Sequence, residues 1–167
     1  MRAAPAASTP QDPPATTGQP RWTIRRLLLI VLFVGMTGLA AELVLLEHTE
    51  TIWQWIPLAF LAAGFTTTIG VASRPRRVTI RVHQFAMILF IVSGAVGFFL
   101  HYQGNAEFEL EMYPSLKGLE LFWKSLGGAT PSLAPLAMAQ LGLVGLIQVH
   151  RHPALRRSQD ATREEES

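Results

Sequence analysis

The chain of 167 residues contains no cysteine. That absence excludes disulfides, thiolate metal sites, iron–sulfur clusters and thiol redox chemistry, and with them the four-helix membrane oxidoreductases that exchange disulfides with quinones. Charge is also scarce, at 16% of residues against 49% hydrophobic, a balance shifted away from that of soluble domains. No H-E-x-x-H or paired E-x-x-H motif, no G-x-S-x-G elbow and no glycine-rich phosphate loop occurs, so zinc hydrolysis, serine nucleophiles and nucleotide binding find no support. There is no basic patch interleaved with aromatics either, which excludes nucleic acid as a partner.

What the chain has instead is four apolar blocks, at 27–46, 55–72, 82–102 and 133–149. As helices they would be about 25 to 32 Å long, enough to cross a hydrocarbon core of roughly 30 Å with help from interfacial flanks. A soluble bundle would need a charged outer face on each helix, and the run FAMILFIVSGAVGFFL in the third block has none. The expected fold is therefore all-α, an integral membrane four-helix bundle with four transmembrane helices. Residues 24–152 would form the membrane domain. The proline-rich stretch 1–23 and the segment 153–167, which ends in REEES, read as solvated tails.

Charge sets the expected orientation. All twelve arginines fall before the first block, between the second and third, or after the fourth, whereas the two lysines, Lys117 and Lys124, lie on the other side. The positive-inside rule then places both termini in the cytoplasm. The outer side carries Glu47, Glu50, Glu107, Glu109, Glu111 and Glu120 and is net acidic. A formal total of only +2 thus conceals a strong polarity across the membrane. Trp22, Trp53, Trp55 and Trp123 fall where an interfacial aromatic belt would put them. The first block is too long, and its leader too long, for a secretory signal, so it is expected to remain as an anchor. The alanine and arginine bias suits a GC-rich bacterial genome, which makes a bacterial inner membrane the expected location.

The outer connection 103–130 is too long for a simple turn. Asn105 can cap a short helix that Pro114 closes, and Ser115 can cap a second, amphipathic helix ended by Gly127 and Gly128. On that second helix Leu116, Leu119, Phe122, Trp123 and Leu126 share a face, which would lie on the membrane or cover the bundle as a lid.

Glu42 is the one carboxylate inside a block. Gly35, Gly38, Glu42 and Thr49 share one stripe of the first helix, and Ser93, Gly94, Gly97 and His101 share one of the third. Small residues mark faces on which membrane helices approach closely, so Glu42 is expected to point inward and to meet His101 near the outer surface. His48, Glu107 and, deeper, Gln140 could extend that polar site. As metal ligands Glu47, His48, His101, Glu107 and Glu111 offer oxygen and imidazole, but in no recognised spacing. The histidine pairs His48 with His101 and His83 with His150 lie at or beyond helix ends, where a haem would be poorly enclosed. No cofactor is expected. Thr66, Thr67, Thr68, Gln140 and Gln148 have adequate explanations in helix packing.

The functional expectation is a non-enzymatic accessory or structural subunit of a membrane complex, with the lipid bilayer and other membrane proteins as partners. The alternative is a small carrier or sensor that uses the outward Glu42 and His101 site for protons or a divalent cation. An enzyme with outward carboxylates and histidines ranks last.

Overall fold

The computed structural model describes residues 21–47 and 50–155, with the backbone alone for residues 21–23. The expected tails therefore lie almost wholly outside the described residues, as do His48 and the side chain of Trp22. Every regular element among the described residues is helical: α1 (Arg21–Leu45), a single 3-10 turn (Ile52–Gln54), α2 (Trp55–Ser73), α3 (Arg77–Met112), α4 (Gly118–Leu126) and α5 (Leu136–Val149). Three of the helices, α1, α2 and α3, are long and apolar enough to cross a membrane.

Local chemistry explains the boundaries. Gln54 accepts a hydrogen bond from the Thr51 backbone N–H at 2.8 Å and so fixes the entry to α2. Arg74, at φ −142° and ψ 80°, leaves helical geometry because Pro75 follows it. Only three residues then separate α2 from α3. Tyr113, at φ −138°, ends α3 for the same reason, with Pro114 next in the chain. Before α5, the amides of Ala134, Leu136, Ala137 and Met138 bond to carbonyls three residues back. Pro135 has no N–H to offer, and this tighter turn accommodates it.

Helices α1, α2, α3 and α5 pack in a closed ring in that order, and α1 and α3 sit across from one another without backbone contact. Successive pairs run antiparallel. Phe33 of α1 meets Phe65 of α2 edge to face, with centroids 5.1 Å apart. Thr67 of α2 meets His83 of α3, while Val71, Ile80 and Val149 form one apolar layer that ties α2, α3 and α5 together. The main core consists of Leu32, Met36, Leu61, Ala86, Met87, Phe90, Met138 and Leu141.

Glycine makes the α3/α5 seam possible. A Cβ at Gly94 would lie 2.7 Å from both the Ala139 amide nitrogen and the Pro135 carbonyl oxygen, and one at Gly142 would lie 2.5 Å from the Met87 carbonyl oxygen. These obstacles are backbone atoms and cannot rotate away. The small stripe on α3 thus faces α5, not α1 as the sequence suggested.

Helix α3 also corrects the expected break at residue 103. It continues unbroken through Gly104 and Asn105, and its 36 residues span about 54 Å, well beyond a hydrocarbon core. The Gln103 amide donates to the Glu107 carboxylate at 3.1 Å one turn later. Helix α4 forms close to where it was expected, starting at Gly118 after an extended Lys117 instead of at Ser115. It packs on α3 alone among the helices, so it is not a lid over the ring. The contact runs through Phe98, Tyr102 and Phe122. Of its anticipated apolar face Leu116 is buried, but Leu119 and Trp123 are 77% and 65% exposed.

Candidate functional site

The expected site residues occupy different settings, and His48 lies outside the described residues. Glu42 is exposed on α1, at its outer side. Its neighbour Gly38 has open space where a Cβ would stand, whereas Gly35 faces Leu141 of α5. The inward stripe of α1 is instead Leu32, Met36, Leu39 and Leu43. The packing of small faces that was to bring Glu42 to His101 is not formed, because α1 and α3 are opposite members of the ring. His101 is half-buried on α3. Glu107 is exposed and paired with Gln103. Gln140 is exposed as well and so does not extend a network inward. Glu47 and Glu111 are exposed, and among the described residues no three His, Asp or Glu side chains converge to hold a metal.

Three other polar groupings do form. The first is centred on Asn105, which is 2% exposed and is a hub instead of a helix cap. The two N–H bonds of its Nδ2 are shared among three acceptors, the Ser125 carbonyl at 2.9 Å, the Thr130 carbonyl at 2.7 Å and Ser132 Oγ at 2.9 Å. Its Oδ1 accepts from the Thr130 amide at 3.0 Å and the Thr130 hydroxyl at 2.8 Å. Ser132 Oγ in turn donates to the Ser125 carbonyl at 3.2 Å. One amide thereby ties the far end of α3 to the end of α4 and to the turn before α5. The arrangement is saturated, as a buried polar cluster must be to stabilise a fold.

The second grouping is buried between α2, α3 and α5. His83 is fully buried in the second turn of α3 and is not the end-of-helix histidine expected from the sequence. Thr66 and Thr67 return their hydroxyls to the carbonyls of Ala62 at 2.8 Å and Gly64 at 3.1 Å. Thr67 Oγ1 and His83 Nδ1 share a hydrogen bond at 3.2 Å. The other ring nitrogen faces Gly145 of α5. Thr68 Oγ1 and Gln148 Oε1 are buried without a hydrogen-bond partner among the described residues. They lie within about one turn of the Val71–Ile80–Val149 layer. The sequence signal for this layer was Gly145 three residues before Gln148, a small and a polar residue on one side of α5.

The third grouping closes the arginine-rich end. Arg25 of α1 reaches across to the last turn of α5, donating to the carbonyls of Gln148 at 3.1 Å, His150 at 2.9 Å and Arg151 at 3.3 Å. A guanidinium there satisfies terminal carbonyls and opposes the negative end of the helix dipole. Burial, and then the nearby charge of Arg25, holds the His152 imidazole below its ordinary pKa. In its neutral form its Nδ1 accepts from the Ala154 amide at 3.2 Å.

No family model matches the chain, and neither a curated protein nor a solved structure matches it. The chain is a helical protein with the character of a membrane protein, and its function is argued from its own surface.

Proposed function

We propose that the chain spans a bacterial inner membrane four times with both termini in the cytoplasm, and that it serves there as a non-enzymatic accessory subunit docking through the exposed face of α1. Three helices meet the length and composition for a span. The fourth span is α5 together with the turns that precede it. The 14 residues of α5 supply about 21 Å, and the 3-10 turns of 131–135 add about 10 Å. Arg25, Arg26, Arg74, Arg76, Arg77, Arg81 and Arg151 share the end where α1 begins, α2 turns into α3 and α5 finishes, which the positive-inside rule assigns to the cytoplasm.

The observation that carries the subunit reading is the outward direction of Glu42. Only 11% of the apolar window of α1 is buried, and Val34, Gly38, Ala41, Glu42 and Leu45 are all exposed. Glu42 lies three residues before the last residue of α1, roughly 4.5 Å beneath the helix end. A carboxylate and an open glycine side by side on a lipid-facing surface suit a second helix, which would approach closely at Gly38 and donate a hydrogen bond to Glu42.

The test is recovery of a co-purifying membrane protein after mild detergent extraction from the host membrane. Glu42→Leu is expected to keep the melting temperature of the isolated chain but to reduce partner recovery about tenfold, the equivalent of one interhelical hydrogen bond in lipid. Glu42→Gln, which keeps a hydrogen-bonding group, is expected to retain most of it. Full recovery with Glu42→Leu, or no stoichiometric partner of the wild type, would contradict the subunit reading.

A further inference from the structure

At the arginine-rich end a groove of about 560 Å³ opens between α1 and α5. Its walls are Ile24 and Leu28 on one helix and Leu146 and Ile147 on the other, and Arg25 and His150 stand at its rim. Because Arg25 is bonded to three carbonyls at the end of α5, its positive charge is fixed at the mouth of an apolar slot. Arg151, which is exposed, directly follows His150 at that rim, whereas Arg26 lies on another side of α1 from Ile24 and Leu28. No acidic residue is available among the described residues of this end: the chain has none from Arg21 to Ala41, from Thr51 to Ala106, or from Leu121 to Leu155. The ion pair of Lys124 with Glu120 belongs to α4, which packs on the far part of α3.

We infer that this groove binds a single anionic glycerophospholipid of the cytoplasmic leaflet, one acyl chain lying along Ile24, Leu28, Leu146 and Ile147 and the phosphate held between Arg151 and the fixed charge of Arg25. A basic pocket between membrane helices on the cytoplasmic side is the geometry that selects negative headgroups. The apolar walls exclude a free phosphate as the preferred occupant, since phosphate alone would leave the slot uncovered. The charged rim selects against a zwitterionic lipid, whose net charge is zero. The inference rests on the membrane-spanning reading, and not on the partner at α1.

Native mass spectrometry of the full chain in a neutral detergent tests it, with phosphatidylglycerol and phosphatidylcholine of identical acyl chains offered together. One phosphatidylglycerol is expected to be retained in preference to phosphatidylcholine by on the order of tenfold. Leu146→Trp, which fills the slot, is expected to abolish retention of both lipids at this stoichiometry. Arg151→Gln is expected to lower the preference for phosphatidylglycerol several-fold. Thermal melting of each variant without lipid verifies that it folds. Equal retention of both lipids by the wild type, a preference unchanged in the variants, or the same stabilisation by inorganic phosphate alone would overturn the lipid site. A chain that stays soluble with no detergent would overturn the membrane-spanning reading as well, so the two failures are distinguishable.

Discussion

Gly94→Ala and Gly142→Ala are each expected to destabilise the folded chain by about 2–4 kcal/mol, a single methyl being enough to prise α3 from α5. The magnitude follows from what the new carbon would meet. At Gly94 the obstacles at 2.7 Å are the Ala139 nitrogen and the Pro135 oxygen, and at Gly142 the obstacle at 2.5 Å is the Met87 oxygen. Helix backbones have no rotamer with which to yield, so the helices must separate, and separation loosens the packing of Met87, Phe90, Met138 and Leu141 in the core. Gly38→Ala is the internal control. Nothing lies within 4 Å of its added carbon, and helix propensity favours alanine there by about 1 kcal/mol. Thermal unfolding in one detergent should therefore rank Gly38→Ala at or above wild type and both seam variants far below. Equal effects at Gly38 and Gly94 would contradict the seam.

The second large effect is expected at Asn105. Asn105→Leu removes the donor to three oxygens and the acceptor for the Thr130 amide and hydroxyl in one step. Buried groups left unsatisfied cost about 1–3 kcal/mol each, so a total loss on the order of 3 kcal/mol is expected even after partial relaxation toward water. The loss should be local. Hydrogen exchange is expected to accelerate in 118–135, which Asn105 fastens to α3, with little change in α1 and α2. Asn105→Asp refines the argument, because a carboxylate keeps the acceptor for Thr130 but cannot donate to the Ser125 and Thr130 carbonyls. It is expected to release the same segment. Exchange in 118–135 that is no faster in either variant would show that the aromatic contacts of Phe98, Tyr102 and Phe122 hold α4 without the hub.

Much of the helical layout was legible in the sequence because apolar block length and charge placement are one-dimensional signals. Helices end within a few residues of Pro114 and Gly127, as expected of them, and α2 begins at Trp55, where the second apolar block was placed. The site was hardly legible. Which helix faces which is set by packing, and Gly94 and Gly97 carry no mark of whether α1 or α5 lies opposite. Their true counterparts, Pro135 and Ala139, sit in a block whose small residues drew no attention. Glu42 was assigned inward by sharing a stripe with Gly35 and Gly38, yet Gly35 faces Leu141 and Gly38 faces open space. The stripe curves across the edge of the contact, and its far end emerges. Asn105 read as a cap since asparagine favours helix ends, and its five tertiary partners come from residues 20 to 27 positions downstream. His83 was placed at a helix end because Arg77 and Arg81 precede it, but α3 starts at Arg77 and turns His83 toward Thr67.

The absence of native cysteine makes the central claim directly measurable. Single replacements Glu111→Cys, Ser73→Cys and Arg151→Cys sample three exposed positions: beyond the far end of the bundle, at the α2 to α3 turn, and just after α5. In intact cells a membrane-impermeant maleimide is expected to label Glu111→Cys alone, with the other two reacting only after permeabilisation. Labelling of Arg151→Cys in intact cells would mean that α5 does not cross, and labelling of Ser73→Cys with Glu111→Cys protected would mean that the arginines face outward.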